Sequence, residues 1–256
     1  MQMSGNTILI TGGGSGIGRA LAHAFHARGN QVIVAGRRVA ELEATCAGHA
    51  GLQALPFDQD RPEDLAPFVE RVRRAFPSLD VLINNAGIQR VEDLSTGATS
   101  DAEATIRTNL LGPIRLTAAL LPALLARPRA AVLNVTSGLA FVPLAMTPTY
   151  CATKAALHSY TQSLRFQLRD SSVQVIELVP PWVQTDLQGS GRSHDPRAMP
   201  LAEYIAETLA LLEAQPDAPE ILVERVKPMR NAEREGRFDG FFKGFNEGRA
   251  AEARKA

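Results

Sequence analysis

The feature that most constrains the fold of this chain is a glycine-rich turn between two regular elements near the N-terminus. Residues 6–10 form a short apolar run typical of a buried strand, and residues 19–28 have a helical pattern that Gly29 ends. Between them lies Thr11-Gly-Gly-Gly-Ser-Gly-Ile-Gly18. A strand, a glycine turn and a helix N-terminus present backbone N–H groups and the positive end of the helix dipole to an anion. The stretch therefore predicts a phosphate cradle.

Dinucleotide-binding folds use such a cradle, although the spacing here, Gly-x3-Gly-x-Gly, differs from the commoner Gly-x-Gly-x-x-Gly. We expect cofactor contacts from Gly12, Ser15, Gly16, Ile17 and Gly18. The next strand, 31–35, ends in Gly36-Arg37-Arg38, where an acidic residue usually binds the ribose hydroxyls of NAD. Two guanidinium groups in place of a carboxylate suit a 2′-phosphate and favour NADP over NAD. The alternative is that Arg37 and Arg38 only begin the next helix on the surface.

Strand and helix patterns alternate along the rest of the chain and predict one doubly wound parallel sheet in a single α/β domain, residues 1–256. Strands are expected at 52–57, 79–83, 130–136, 173–179 and 220–223, and helices at 39–46, 62–76, 99–125, from about 148 onward and at 201–212. The loop 186–200 is rich in Gly, Ser, His and Pro, and we interpret it as a mobile substrate lid. The charged tail 230–256 carries four phenylalanines that we expect to dock on the body of the protein or on a partner subunit.

Polar residues follow two of these strands. Asp58 comes directly after a strand, where it either accepts from an adenine amino group or caps the following helix. Asn84-Asn85-Ala86-Gly87 follows the next strand, and its amides and glycine allow close approach of the backbone to a turn or a ligand. Within the long predicted helix, Asn109 is mildly unfavourable and Pro113 follows it, so we expect a local kink. A tolerated polar residue is the simpler interpretation of Asn109 alone.

A second informative stretch contains a hydroxyl, a phenol and an ammonium. Ser137 follows the apolar run Ala130 to Thr136, and a loop with glycine and proline separates it from a helix that begins near residue 148. Tyr150 and Lys154 are four apart and share one helix face. A free tyrosine has a pKa of about 10, which a nearby ammonium lowers, and a serine hydroxyl can donate to a carbonyl oxygen. The group predicts a proton-transfer site, although Tyr-x-x-x-Lys alone is more often a surface pair.

Charge and composition exclude several other classes of protein. The 256 residues have a formal net charge of +0 and 45% hydrophobic residues, which is typical of a globular protein and argues against nucleic-acid binding. No apolar run approaches the ~18 residues that span a membrane, and we see no signal-peptide pattern, so we expect a cytoplasmic protein. Cys46 and Cys151 make no disulfide framework, and we expect no metal. Cys151 adjoins Tyr150, but a small helix residue there more often serves packing than nucleophilic chemistry.

Taken together, the motifs resemble the short-chain dehydrogenase/reductase family over essentially the whole chain. They follow the order of that family: Thr11-Gly-x-x-x-Gly-Ile-Gly18, Asn84-Asn-Ala-Gly87, Asn109, Ser137 and Tyr150-x-x-x-Lys154. The resemblance implies a Rossmann-type sheet of about seven parallel strands flanked by helices. It also implies a catalytic tetrad of Asn109, Ser137, Tyr150 and Lys154.

The same resemblance implies a role for each residue. Tyr150 would be the general acid and base, and Lys154 would lower its pKa and bind the nicotinamide ribose. Ser137 would orient the carbonyl, and Asn109 would hold a water that relays protons through Lys154. Arg37 matches the position at which NADP-preferring members contact the 2′-phosphate. Further cofactor contacts are expected from Arg38, Asp58, Asn85, Ala86, Gly87, Pro180, Val183 and Thr185, the last at the nicotinamide carboxamide.

One departure from the family concerns the nicotinamide loop. The family usually has Pro-Gly after this strand, whereas this chain has Pro180-Pro181, and the second proline removes a backbone donor and restricts φ. The sequence of residues 137–143 and 180–187 is most similar to that of the DltE-like branch of the family, which is named after D-alanylation of teichoic acid. That name says little about the substrate.

The sequence thus predicts an NADP(H)-dependent oxidoreductase that acts on a ketone or secondary alcohol. Apolar side chains flank the site and indicate an apolar or aromatic carbonyl compound. We expect substrate contacts from Ser137, Leu139, Phe141, Tyr150 and Trp182. Two alternatives stay open: a dinucleotide-sensing binding protein on the same fold, and an epimerase or dehydratase. The joint presence of Tyr150 and Lys154 favours the oxidoreductase, and the family resemblance suggests a homodimer or homotetramer.

Overall fold

Seven parallel strands make up the central sheet of the computed structural model, which describes residues 1–188 and 195–253. The strands are β1 (Thr7–Thr11), β2 (Gln31–Gly36), β3 (Gln53–Pro56), β4 (Val81–Asn84), β5 (Ala130–Val135), β6 (Val173–Val179) and β7 (Glu220–Leu222). Their order across the sheet is β3-β2-β1-β4-β5-β6-β7. The direction of winding reverses between β1 and β4, which is where doubly wound sheets bind ligands. The predicted doubly wound parallel sheet is confirmed.

Helices cover both faces of the sheet because alternate residues of each strand point to opposite sides. Ile8 and Ile10 belong to one buried cluster, and Leu9 between them belongs to the other. The described helices are α1 (Gly16–His26), α2 (Val39–Cys46), α3 (Pro62–Ala75), α4 (Ser100–Ile106), α5 (Gly112–Leu125), α6 (Pro148–Gln167), α7 (Leu201–Ala214), α8 (Lys227–Asn231) and α9 (Phe238–Ala253). Helices α1 and α7 pack in the first cluster, and α3 and α5 in the second.

A π-helical turn interrupts the long helix predicted at 99–125. It spans Arg107–Leu111 between α4 and α5, so the expected irregularity at Asn109 takes the form of a wider turn. By length and composition alone, the combined run Ser100–Leu125 could cross a membrane. We had identified no apolar run of that length in the sequence. However, Leu116, Leu120 and Leu124 are fully buried against the sheet. The run is therefore a core helix of this fold.

The segments predicted as a lid and a tail are partly fixed to the body. Residues 189–194 of the predicted loop lie outside the described residues. Beyond them, Met199 is buried and forms a parallel bridge with Val183, so the second half of the loop is tied down. In the tail, Asn246 of α9 donates to the Pro143 carbonyl at 3.1 Å and accepts from the Ala145 N–H at 2.6 Å. The tail therefore docks on the body of the same chain, beside the loop that precedes α6.

Two glycines allow α1 to begin close to the strand ends. Gly12 has φ +67°, in the left-handed region that favours glycine. Gly18 packs so closely on Gly12 that a Cβ atom placed there would lie 2.3 Å from the Gly12 carbonyl oxygen and 2.5 Å from the Asn85 side-chain nitrogen. The glycine spacing thus serves the approach of helix to strand as well as the opening of the cradle.

We expect Gly18→Ala to lower the free energy of unfolding by about 1–3 kcal/mol, the usual cost of overpacking. The added Cβ would strike a backbone oxygen, which cannot move aside as a flexible side chain can. Urea unfolding measures the change. Gly244→Ala in α9 is the matched control, because nothing lies within 4 Å of its Cβ position and alanine favours a helix. Equal losses in both variants would contradict this account of Gly18.

Candidate active site

One cavity of about 960 Å³ runs along the carboxyl ends of the strands. The residues at those ends that line it are Thr11, Gly36, Phe57, Asn85, Thr136 and Pro180. All residues predicted above for the cofactor and substrate sites line it as well, except Gly18, Asn109 and Phe141. The fold thus brings together residues that are separated by up to 173 positions in the chain, from Gly12 to Thr185.

The three exceptions have different explanations. Gly18 lies behind the turn in the close contact described above, and Asn109 is buried behind the cavity wall. Phe141 follows a 3-10 turn and is not among the residues that line the cavity. Its ring packs edge-on to His158, with centroids 4.9 Å apart, and lies 4.7 Å from the guanidinium carbon of Arg230. The predicted contact of Phe141 with the substrate stays a prediction.

Asn109 uses its amide to hold the loop that follows β4. Its Oδ1 accepts from the Ile88 N–H, and its Nδ2 donates to the Ile88 carbonyl, both at 2.8 Å. The Nδ2 also lies 3.3 Å from Thr153 Oγ1 on α6. The side chain therefore joins the π-helical turn, the loop and α6. The water-relay role that the family resemblance implies for Asn109 stays a prediction.

The floor of the cradle joins β1 to β4. The Thr11 hydroxyl accepts from the N–H groups of Asn85 and Ala86, both at 3.1 Å, and the Asn85 side chain donates to the Thr11 carbonyl at 2.9 Å. Arg19 of α1 donates to the Gly14 carbonyl and forms a 2.7 Å ion pair with Glu41 of α2. The glycine turn is therefore held from both sides. Thr11 and Arg19 were not predicted, because their role depends on partners far away in the sequence.

The cradle end of the cavity fits a dinucleotide. Ser15, the N-cap of α1, makes no side-chain hydrogen bond to the first turn, and Ser15, Gly16 and Ile17 line the cavity. The unsatisfied first-turn N–H groups of α1 thus border it, as an anion site requires. Arg38 donates to Ser15 Oγ at 3.0 Å, which holds a guanidinium beside the cradle. Gln59 lines the same cavity, and its Oε1 is buried without a partner among the described residues.

Ser137, Tyr150 and Lys154 meet at the other end of the cavity. All three are buried, with 6%, 5% and 4% of their surface exposed, yet each lines the cavity. The Ser137 hydroxyl lies beside the Tyr150 phenol and accepts from the Leu139 N–H at 3.1 Å. Lys154 Nζ donates to the Val135 carbonyl at 2.7 Å and lies 5.6 Å from the centre of the Tyr150 ring. The predicted convergence of hydroxyl, phenol and ammonium is present.

Burial dominates the acid–base properties of this group. It raises the pKa of the Tyr150 phenol, and the nearby Ser137 hydroxyl only partly opposes that rise. We had expected a lowered tyrosine pKa from the neighbouring ammonium, but desolvation of the phenolate is the larger effect. Burial also lowers the pKa of Lys154 to about 8, with the charge of Glu177 acting in the opposite direction. The lysine therefore carries its charge below about pH 8 and loses it above.

The sequence match agrees with this geometry. A model of the short chain dehydrogenase family matches residues 6–196, which include every strand end that lines the cavity. The chain belongs to the short-chain dehydrogenase family.

Relatives of this short-chain dehydrogenase are similar over nearly its full length. The uncharacterized oxidoreductase DltE of Bacillus subtilis is 41% identical over 255 residues, 96% of this chain and 98% of that protein. The short-chain dehydrogenase of Sphingobium yanoikuyae in complex with NADPH is 28% identical, with a TM-score of 0.79 and 94% coverage of both chains. The 3-ketoacyl-(acyl-carrier-protein) reductase of Brucella melitensis complexed with NADH is 25% identical, with a TM-score of 0.78 and coverage of 88% of this chain and 100% of that one.

The cavity of this short-chain dehydrogenase is also lined by residues that the sequence did not predict. The C-terminal segment contributes Arg225, Met229, Phe241, Phe245 and Arg249. Arg249 stacks on Trp182, with its guanidinium carbon 3.9 Å from the ring centroid. In the sequence, the four phenylalanines of the charged tail indicated that the tail docks. They did not indicate that it docks beside the cavity.

We expect Asn109→Ala to lower the free energy of unfolding by about 1–3 kcal/mol, because it removes the partner of the part-buried N–H and carbonyl of Ile88. Asn109→Asp tests the same contact, since a carboxylate can accept from the Ile88 N–H but cannot donate to its carbonyl. Urea unfolding of both variants measures the effect. A change within about 0.5 kcal/mol for Asn109→Ala, the range of ordinary surface substitutions, would show that Asn109 does not hold this loop.

Proposed function

We propose that the protein is an NADP(H)-dependent oxidoreductase that moves a hydride between the nicotinamide and a ketone or secondary alcohol. The observation that carries this proposal is the convergence of the Ser137 hydroxyl, the Tyr150 phenol and the buried ammonium of Lys154 in the same cavity as the glycine cradle. A dinucleotide bound in the cradle would extend toward these groups. Family members with known cofactors include both NADPH and NADH complexes, so the proposal of NADP preference rests on Arg37 and Arg38.

The chain would hold the cofactor along the full cavity. Gly12, Ser15, Gly16 and Ile17 would cradle the pyrophosphate at the N-terminus of α1. Arg37 and Arg38 are exposed at the cavity edge, and the planar donor arrangement of their guanidinium groups suits a 2′-phosphate. The remaining proposed contacts lie at the adenine end and along the nicotinamide loop: Asp58, Asn85, Ala86, Gly87, Pro180, Val183 and Thr185.

Proton transfer follows from the arrangement of three side chains. A reduced nicotinamide, when bound, would supply the hydride. Ser137 Oγ donates to the carbonyl oxygen, and Tyr150 gives its proton to that oxygen as it becomes an alkoxide. Because burial raises its pKa, the phenol holds its proton until then. The charge of Lys154 stabilises the phenolate that remains, since an opposite charge in a dry site is only weakly screened.

The substrate end of the cavity suits an apolar or aromatic carbonyl compound. Leu139, Leu144, Trp182, Phe241 and Phe245 line it near Ser137 and Tyr150. Such a lining with a few convergent polar groups is typical of small-molecule sites. We also propose a cytoplasmic homodimer or homotetramer in which the helices around Asn109 and Tyr150 form the interfaces. With a formal net charge of +0, nucleic acid is not among the proposed partners.

We expect Tyr150→Phe to abolish ketone-dependent NADPH oxidation and to leave NADPH binding nearly unchanged, because only the proton donor is lost. Steady-state kinetics and fluorescence titration measure the two effects. Tyr160→Phe on the same helix is the matched control and should keep full activity. Retained turnover in Tyr150→Phe would refute its acid–base role. Tight binding by the unaltered protein without turnover of any ketone in a broad panel would favour the dinucleotide-sensing alternative.

We expect Arg37→Ala to weaken NADPH binding about 10-fold or more and to leave NADH binding nearly unchanged, since a charge-assisted bond to phosphate is worth about 1.5–3 kcal/mol. Calorimetric titration with each dinucleotide measures the difference. Arg73→Ala, an exposed arginine on α3, is the control and should change neither affinity. Equal losses for NADPH and NADH in Arg37→Ala would refute recognition of the 2′-phosphate.

A further inference from the structure

A buried carboxylate lies directly behind the proposed proton-transfer group. Glu177 of β6 has none of its surface exposed. Its Oε1 accepts from the Thr136 hydroxyl at 2.6 Å, and its Oε2 lies 2.8 Å from His158 Nδ1. Acidic side chains are almost never fully buried unless they are paired. The full burial of this carboxylate therefore indicates a role other than packing.

The two partners of Glu177 belong to the two segments that carry the site. Thr136 directly precedes Ser137 at the end of β5, and β5 pairs with β6 so that Asn134 lies opposite Glu177. His158 lies one helical turn after Lys154 on α6. The carboxylate is thus bonded both to the strand that ends in Ser137 and to the helix that carries Tyr150 and Lys154. It joins the two halves of the site from behind.

Lys154 needs a compensating charge. Its ammonium is buried, and the one hydrogen bond found for it goes to a neutral group, the Val135 carbonyl. The charged and titratable groups around Lys154 and Glu177 are Tyr150, His158 and Arg165 on α6, Glu220 on β7 and Arg230 on α8. Lys154 binds the carbonyl of Val135 and Glu177 binds the hydroxyl of the next residue, Thr136, so both side chains hold the same short segment. The charge of Glu177 raises the pKa of Lys154.

The second carboxylate of this cluster is already paired. Glu220 lies opposite Glu177 in the β6–β7 register, and Arg230 binds both of its oxygens, at 2.7 and 3.0 Å. Ligand-type atoms of His158, Glu177 and Glu220 lie within 4.8 Å of one another, a spacing that a metal ion could also use. However, Arg230, Thr136 and His158 already bond to the four carboxylate oxygens. The observations therefore favour a charge network over an ion site.

We propose that Glu177 is a positioning residue of the active site. Its carboxylate, fixed between Thr136 and His158, is the counter-charge of the Lys154 ammonium and holds the end of β5 against α6. The inference rests on the proposed function only for its catalytic consequence, because the charge of Lys154 can be measured without substrate.

The direct test is an NMR titration of Lys154. The chain has only four lysines, Lys154, Lys227, Lys243 and Lys255, so lysine labelled with ¹³C at Cε gives few signals, and a Lys154→Met sample assigns the buried one. We expect Glu177→Gln, which removes the charge and keeps the shape, to lower the Lys154 pKa by about 1, as loss of a nearby opposite charge does. Glu177→Asp, which keeps the charge, should restore most of the wild-type value.

A matched control and a second variant keep the test decisive. Glu220→Gln removes the neighbouring carboxylate and should leave the Lys154 pKa unchanged, since the charge of Glu220 is paired with Arg230. Should Glu177→Gln fail to fold, Glu177→Met removes the same charge without leaving polar atoms, a replacement that buried charges often tolerate. An unchanged Lys154 pKa in the folded variant, or an equal fall in Glu220→Gln, would overturn the proposal.

Activity gives the second measurement and separates the two proposals. In Glu177→Gln, the high-pH decline of kcat/KM for ketone reduction should move to lower pH by the same amount as the Lys154 pKa. If the Lys154 pKa falls in Glu177→Gln but no ketone supports NADPH oxidation by the unaltered protein, the role of Glu177 is supported and the oxidoreductase function is refuted. If the enzyme reduces ketones but Glu177→Gln does not change the Lys154 pKa, the oxidoreductase function is supported and the role of Glu177 is refuted.

Discussion

The hydrogen bonds of Thr11 with the segment after β4 are the contacts on which the crevice depends. β1 and β4 are neighbours in the sheet but lie 70 residues apart in the chain, and the winding direction reverses between them. Any such pair of strands leaves an open crevice at its carboxyl end. Here the Thr11 hydroxyl accepts from the N–H groups of Asn85 and Ala86, and the Asn85 side-chain amide donates to the Thr11 carbonyl. The glycine turn and the segment after β4 are thereby held together on the two sides of the crevice.

A chain of buried polar groups extends this arrangement through the core. Asn84 donates to Asn134 at 2.8 Å and to Thr117 at 2.9 Å, and Asn134 in turn donates to Thr161 at 2.8 Å. Asn134 also lies opposite Glu177 in the register of β5 and β6. Buried polar groups lose their bonds to water and are costly unless they find partners with good geometry. The network therefore gives the strands one preferred register and places Ser137 and Lys154 with little freedom.

The fold and much of the site could be predicted from local patterns. Strand β6 has the predicted bounds, and α6 begins at Pro148, because apolar runs, prolines and the helix period act over a few residues. The cradle and the Tyr150–Lys154 face were predictable for the same reason. The packing of Phe141 on His158 and Arg230 was not predictable, since a single turn decides where a ring lies. Glu177 was missed because a carboxylate within an apolar strand has no local pattern that indicates its partners.

The sequence by itself determined the order of the elements, the glycine cradle and the identity of the groups that could exchange a proton. Those features depend on residue type and short spacing, which the chain carries before it folds. Only the tertiary structure decided which distant segments complete the cavity, as Phe241 and Phe245 of α9 do at the substrate end. It also decided the charge balance of the site, where burial raises the pKa of Tyr150 and lowers that of Lys154. Desolvation is a property of the packed interior, and no residue has it until the strands and helices have closed around it.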